Sequence, residues 1–303
     1  MQDLRTLAVL CKDCGAAFAA DVPLAQYTTF RIGGPCAAMV ELPDTEAAQK
    51  IIGYLSQEGI PHRLIGKGSN LLVPDEGYNG VVLRLTGSLA DAPRMEGEKL
   101  ICGAGTPLKT LCLSALRASL TGLEFAYGIP GSVGGAVFMN AGAYDGEISG
   151  VVTAVTCLDE TGTLRTLPKE ALSFRYRYSI FMDRPWHILS AEFQLRAGDP
   201  EAIQSRMHEL LHRRQEKQPL ECSSAGSTFK RPKVGYASAL IDECGLKGYR
   251  VGDAQVSTKH AGFVVNRGCA TFADVMAVCR HVQNTVMAQK GIKLEMEPEI
   301  LNA

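Results

Sequence analysis

The chain has 303 residues, with 31 Lys and Arg against 32 Asp and Glu, a length that accommodates two or three domains at roughly 100 to 200 residues each and argues against a single binding module. The charges balance, and neither a basic tail nor an acidic block is present, so no field recruits a polyanion and nucleic acid is not an expected partner. An apolar patch from Leu7 to Leu10 is interrupted by Lys12 and Asp13 before a signal h-region or membrane span could form; a cytoplasmic protein with no membrane partner is expected.

The ten cysteines are scattered, mostly among apolar neighbours, as at Cys102, Cys112, Cys157 and Cys279, which suits reduced, buried thiols. Cys11-Lys-Asp-Cys14 is the one CxxC. With no second pair, no histidines at zinc spacing and no preceding strand, it reads as two ordinary thiols, and no metal site is expected.

From Asp44 to Gly59, Ala47, Ala48, Ile51, Ile52 and Leu55 recur at helical spacing behind a capping Asp and before a terminating glycine, which predicts a helix with one buried face. Short β-branched runs at His62–Ile65 and Val81–Leu85 predict strands, and a small α+β unit spanning 1–86 results. A second such unit, 87–197, is predicted from a strand at Leu100–Cys102, a Gly-Ala-Gly turn, and a helix opening at Pro107 with Leu108, Leu111, Cys112, Ala115 and Leu116 on one face. Its later strands run through Val151–Leu158 and Ile188–Leu195, with Asp159-Glu-Thr-Gly162 as a hairpin turn. Gly198-Asp-Pro200 then punctuates the chain, and a third domain, 198–303, is expected. It begins with a helix to about Glu216, with Ile203, Met207, Leu210 and Leu211 inward. It closes with a long helix through Phe272, Val275, Val278, Cys279, Val282 and Val286, and an edge segment from Leu294 to Leu301.

Three glycine-rich segments fall between predicted strands and helices, at Gly66–Leu71, Gly103–Gly105 and Gly128–Gly135. Backbone without Cβ can approach a pyrophosphate closely, and successive N–H groups in tight turns make an anion-binding concavity, so a dinucleotide suits these loops. Plain turn-making explains each cluster about equally well. Neither a GxGxxG fingerprint between strand and helix nor a GxxxxGK[ST] motif is present, which argues against a Rossmann fold and a P-loop.

Longer motifs add a resemblance. Tyr27-Thr-Thr-Phe-Arg-Ile-Gly-Gly34, Gly66-Lys-Gly-Ser-Asn-Leu-Leu72 and the run from Leu123 to Tyr144 resemble, in order, the flavin-binding segments of UDP-N-acetylenolpyruvoylglucosamine reductases. The likeness continues through Phe174-Arg-Tyr-Arg-Tyr-Ser179, Ser224-Ala-Gly-Ser-Thr-Phe-Lys230, Leu240-Ile-Asp242, Gly245-Leu-Lys-Gly248, Ala254-Gln-Val-Ser257, His260 and Asn266, roughly residues 25 to 300. It implies an α+β fold: a two-part FAD-binding module of the vanillyl-alcohol-oxidase (PCMH) type, then a smaller C-terminal α+β substrate-binding domain. It implies an NADPH-dependent oxidoreductase of peptidoglycan-precursor synthesis, monomeric, with non-covalent FAD, NADPH as co-substrate and a UDP-sugar enolpyruvyl substrate. The short stretch between Ser179 and Gln218 resembles the family's compact second type, which lacks a substrate-capping tyrosine loop.

The residues implied for FAD are Arg31 and Gly33; Gly66, Lys67, Gly68, Ser69, Asn70 and Leu71; Gly103 and Gly105; and Gly128, Pro130, Gly131, Ser132, Gly134, Gly135, Asn140, Gly142, Ala143 and Tyr144. The implied reaction leaves negative charge on the carbon bearing the substrate carboxylate, so one cation, one proton donor and one further acid are required. Arg177, in the YRxS element, matches the cation, and its guanidinium can bond a carboxylate bidentately. Arg175 is the rival; on a strand both would share one face, so the motif decides rather than the spacing. Ser227 matches the proton donor, a weak acid that serves only beside a strongly basic carbanion. Glu299 matches the second acid, with Glu295 and Glu297 on the same strand face by alternation. Tyr176, Lys217, Lys230 and His260 are the implied substrate contacts, while Arg231 stands where many relatives carry asparagine.

Overall fold

The computed structural model describes residues 4–301. The chain packs as two compact units that interleave in sequence: residues 1–20, 38–67 and 80–212 form one, and residues 21–37, 68–79 and 213–303 the other. Where the sequence predicts three consecutive segments, the packing is two-fold and discontinuous. The boundary expected at 197 falls inside the first unit, because Ile203 and Met207 of the helix Pro200–Lys217 are buried in that unit's core.

In the first unit, the helix Thr45–Gln57 forms for the reasons its sequence gives. Asp44 Oδ1 accepts from the Ala47 N–H at 2.8 Å, and Ala47, Ala48, Ile51, Ile52 and Leu55 are all buried. The three larger side chains contribute roughly 2 kcal/mol each by area, an upper figure because the unfolded chain already hides some of it. Strand His62–Leu64 pairs in parallel with Tyr78–Leu85. A five-stranded antiparallel sheet runs in the order Leu164–Pro168, Val152–Leu158, His187–Gln194, Lys99–Gly103, Arg94–Glu96. The expected hairpin is present: Asp159 Oδ1 accepts from the Thr161 and Thr163 N–H groups, and Gly162 takes φ +79°. Pro107 stands at the start of the helix Leu108–Arg117, at its N-cap.

The N-terminal apolar patch lies in a helix, Arg5–Asp13, with Leu7 and Cys11 buried one turn apart. Burial pushes the Cys11 thiol up to about 11, which favours its protonated form at neutral pH.

The second unit has its own core, formed by Phe30, Ile32, Leu72 and residues from Ala225 onward. The long helix is Phe272–Lys290, with a Thr271/Asp274 capping box and Gly291 in the left-handed conformation behind it. The Asp75 carboxylate also accepts from the Phe272 and Ala273 N–H groups, where free donors and the helix dipole favour an anion. Three short strands, Arg250–Val251, Ala254–Val256 and Val264–Asn266, form an antiparallel sheet. The expected edge segment is mostly irregular: only Glu299–Ile300 forms a strand, parallel to Leu71–Leu72, and Met296 makes a single bridge to Phe229. Among the described residues, no helix is long and apolar enough to cross a membrane.

Candidate active site

Two of the glycine loops expected for the cofactor, at 103–105 and 128–135, meet in the first unit through their backbones. Val133 N–H donates to Thr106 C=O at 2.9 Å, Gly134 N–H to Ala104 C=O at 2.8 Å, and Leu108 N–H to Gly131 C=O at 3.0 Å. A Cβ added at Gly66 would sit 2.2 Å from Ser132 Oγ, and one at Gly134 would sit 2.8 Å from Ala104 Cβ. The glycines are therefore required first by the loops' own packing. Gly103 and Gly105 follow the same rule, against Leu89 and Leu85.

Buried Ser132 accepts from the Gly135 N–H at 3.3 Å and caps the six-residue helix Val133–Phe138, which lies unread within the glycine run. Gly128, Pro130, Gly131 and Gly135 leave a partly exposed stretch of backbone and small side chains around buried Ser132, with Gly66 packed against it. That stretch fits a dinucleotide, whose phosphates need close N–H groups and no Cβ in the way. No histidine stands in these loops to attach a flavin covalently.

Arg31, Gly33, Gly68, Ser69, Asn70 and Leu71 lie in the second unit, where Gly68 C=O accepts from the Thr29 N–H at 3.3 Å. Gly33 packs on Val73 so closely that an added Cβ would lie 2.5 Å from Val73 Cβ. Of the non-glycine residues with positive φ, Arg31 (+56°), Asn140 (+43°), Tyr144 (+52°) and Arg177 (+52°) are all candidate site residues. Such backbone persists where its surroundings over-determine it, which is commonest at functional sites.

The Phe174–Ser179 element is not the strand its alternation suggests. Arg175 and Tyr178 exchange backbone hydrogen bonds at 3.1 Å each, so Tyr176 and Arg177 form a tight two-residue turn. The two arginines consequently leave it differently. Arg175 is exposed, its guanidinium 3.8 Å from the Tyr178 ring centroid. Arg177 is half-buried, donates from Nη2 to the Gly142 carbonyl at 3.3 Å, and lies 5.0 Å from the exposed Tyr176 ring. Gly142–Ala143 pairs in turn with Gly146–Glu147.

In the second unit, the segments of Ser227 and Glu299 are neighbours. Thr228 is clamped on three sides: its N–H donates to Gly262 C=O at 2.8 Å, its hydroxyl accepts from Val264 N–H at 2.8 Å, and its carbonyl accepts from Glu297 N–H at 3.0 Å. Asn70 C=O accepts from the Glu299 N–H at 2.9 Å, and Asn70 Nδ2 donates to Glu297 C=O at 3.2 Å. Ser227 and Glu299 are both half-buried. Lys230 Nζ stands 3.8 Å from Glu295, whereas Arg231 lies over the Tyr236 ring at 4.3 Å.

Lys217 is exposed at the C-terminal end of its helix, where Lys259 donates to Gln215 C=O at 2.7 Å. His260 is half-buried, accepts from the Gly262 N–H at 3.2 Å through Nδ1, and is held below the ordinary histidine range by burial. Sequence reasoning missed a histidine pair in the first unit: Nε2 of half-buried His62 and Nε2 of buried His187 lie 3.2 Å apart. Burial, then His62, pushes His187 down to about 3. Among the described residues, no three His, Cys, Asp or Glu side chains are grouped to hold a metal ion.

Comparison with known families defines a flavoprotein class. Residues 36–168 match a family described as "FAD binding domain", and residues 218–301 match "UDP-N-acetylenolpyruvoylglucosamine reductase, C-terminal domain". UDP-N-acetylenolpyruvoylglucosamine reductases are similar along nearly the whole chain. The one from Clostridium novyi is 44% identical over 93% of this chain and 91% of its own. The Agathobacter rectalis relative is 46% identical over 93% of both. The crystal structure of the Thermus caldophilus reductase superposes with a TM-score of 0.80 at 37% identity, covering 94% of this chain and 98% of that one. The chain belongs to the UDP-N-acetylenolpyruvoylglucosamine reductase family.

Proposed function

We propose that this protein reduces the enolpyruvyl group of UDP-N-acetylglucosamine enolpyruvate to give UDP-N-acetylmuramate, a cytoplasmic step of peptidoglycan-precursor synthesis, with NADPH as reductant and non-covalent FAD held in the vanillyl-alcohol-oxidase manner. What carries the reading is the span of the likeness, 44% identity over 281 residues and through both the FAD-binding and C-terminal regions. The assignment of residues 1–86 and 87–197 to FAD and 198–303 to substrate belongs to the same reading.

Bound FAD supplies hydride acceptance from NADPH and hydride donation to the enol ether. The chain's part is to hold the substrate carboxylate, steady the charge that develops beside it and return a proton. Arg177 fits the cation's task, since a half-buried guanidinium keeps its charge and can fork onto carboxylate oxygens. Ser227 donates the proton from its hydroxyl, on a segment fixed by the Thr228 clamp. Glu299, set by its backbone pairing to Asn70 and Leu71, polarises the carboxylate or resupplies the proton. Lys217, Lys230, Tyr176 and His260 are assigned as substrate contacts in the same reading.

The purified protein should be yellow, release its flavin on denaturation, and oxidise NADPH only when the enolpyruvyl sugar nucleotide is added. NADPH oxidation that ignores the sugar nucleotide, or flavin that stays attached to denatured protein, overturns the reading.

A further inference from the structure

Asn140 lies inside the glycine-rich flavin segment, yet its side chain is committed to the protein. It is wholly buried, with its backbone in the left-handed region at φ +43°. Nδ2 donates to the Arg175 carbonyl at 3.1 Å, and Oδ1 accepts from the Ser149 N–H at 2.9 Å. Two more bonds flank this one: buried Ser179 donates from Oγ to Phe138 C=O at 2.6 Å, and Arg177 donates to Gly142 C=O at 3.3 Å. Every second residue of 138–142 thus holds one residue of the arginine turn or its immediate continuation. That support matters because the turn puts arginine at a positive φ, where glycine is favoured and any other side chain needs its surroundings to hold it.

We propose that Asn140 is a positioning residue for Arg177, fixing the turn by tying the Arg175 carbonyl to the Ser149 amide, rather than a side-chain ligand of the cofactor. The inference rests on the role given to Arg177 above. The carboxamide suits the task chemically: it must donate at one end and accept at the other, in a dry site where either group left unpaired is penalised.

Two substitutions separate the requirements. Asn140→Asp tolerates the left-handed backbone and can still accept from Ser149, but it turns an acceptor toward the Arg175 carbonyl. Asn140→Gly keeps the backbone and loses both bonds. In the FAD-loaded protein, flavin absorbance is followed separately during reduction by NADPH and during reoxidation by the enolpyruvyl sugar nucleotide. Both variants should slow reoxidation at least about tenfold more than reduction, with the loss in kcat rather than KM. Combined with Arg177→Lys, neither should be slower than the slower single variant, because the two changes disable one device. Equal slowing of both half-reactions, or losses that multiply, overturn the proposal.

If these variants fail to hold flavin, Ser179→Ala, which loses the 2.6 Å bond to Phe138, is measured the same way. It should show a smaller split of the same sign, and no split counts against the proposal. A readout independent of turnover is the Arg177 Nε–H resonance in ¹⁵N-labelled protein, which should shift or broaden in Asn140→Asp; an unchanged resonance overturns the proposal. Wild-type protein that ignores the sugar nucleotide sinks the functional reading instead, and the resonance then decides the positioning role alone.

Discussion

The two places where the candidate chemistry collects are held by different means. Around Arg177 the chain is bent into left-handed backbone at Asn140, Tyr144 and Arg177, and the buried side chains of Asn140 and Ser179 tie the arginine turn to the 138–142 segment. Around Ser227 and Glu299 the work is done largely by backbone: Thr228 to Gly262 and Glu297, Glu299 to Asn70, Ile300 beside Leu72. The first arrangement depends on a few irreplaceable side chains, while the second tolerates side-chain change as long as the strands pair. Substitutions near the arginine turn are therefore expected to disturb geometry as well as chemistry, and substitutions in the serine and glutamate segments to disturb chemistry alone.

The sharpest test is Ser227→Ala. Loss of the proton donor should slow reoxidation by the sugar nucleotide by about 10³-fold, with reduction by NADPH and thermal unfolding near normal. A large loss of stability would show that the backbone clamp does not insulate this segment. Next is Arg177→Lys, which keeps the charge but loses the fork and should cost about 10²-fold in the same half-reaction. Arg175→Lys is its control and should change little, because Arg175 is exposed and stacked on Tyr178; reversed outcomes would exchange the two roles.

Gly66→Ala probes the side-chain-dependent unit directly. The new Cβ meets Ser132 Oγ at 2.2 Å and must displace the cap of a short helix, so about 1–3 kcal/mol of stability should go, with faster flavin loss on dilution.

The smallest effect is set by pH. His187 is held near pKa 3 by burial, against 6.5 for its ordinary value, so the folded state binds fewer protons than the unfolded one between those values. Its contribution is fully present above pH 6.5 and falls as the pH drops toward 3, by at most about 1.4 kcal/mol per pH unit. Urea midpoints at pH 7 and pH 5 should show the decline, and His187→Leu should flatten it.

Much of this was readable in the chain. The helix Thr45–Gln57 follows from its apolar spacing and its Asp cap, and the long helix at Phe272–Lys290 from the same kind of pattern. The glycine clusters announced close backbone approach, although their nearest neighbours are other loops of the protein. The arginine turn was hidden because Phe-Arg-Tyr-Arg-Tyr alternates like a strand, and only distant partners, Phe138 and Asn140, fix it as a turn. The helix Val133–Phe138 was masked by its glycines, and Arg5–Asp13 by the charges that break its apolar patch. The histidine pair was unreadable for another reason: its members lie 125 residues apart, and neither carries a motif.

The pairing that seats Glu299 also says something about the order of assembly. The bond from Asn70 to Glu297 joins residues 227 apart in sequence, and closing so long a loop costs about 5 kcal/mol in chain entropy beyond a constant. Contacts of that range form late, after local helices and hairpins have collapsed. The Ser227 segment is tied at similar range, since Thr29 Oγ1 donates to the Ser224 carbonyl 195 residues away. Both groups are then expected to be set after Arg177, whose turn is tied to Asn140 only 35 residues away, and a chain refolding from denaturant should regain its helices well before it regains turnover.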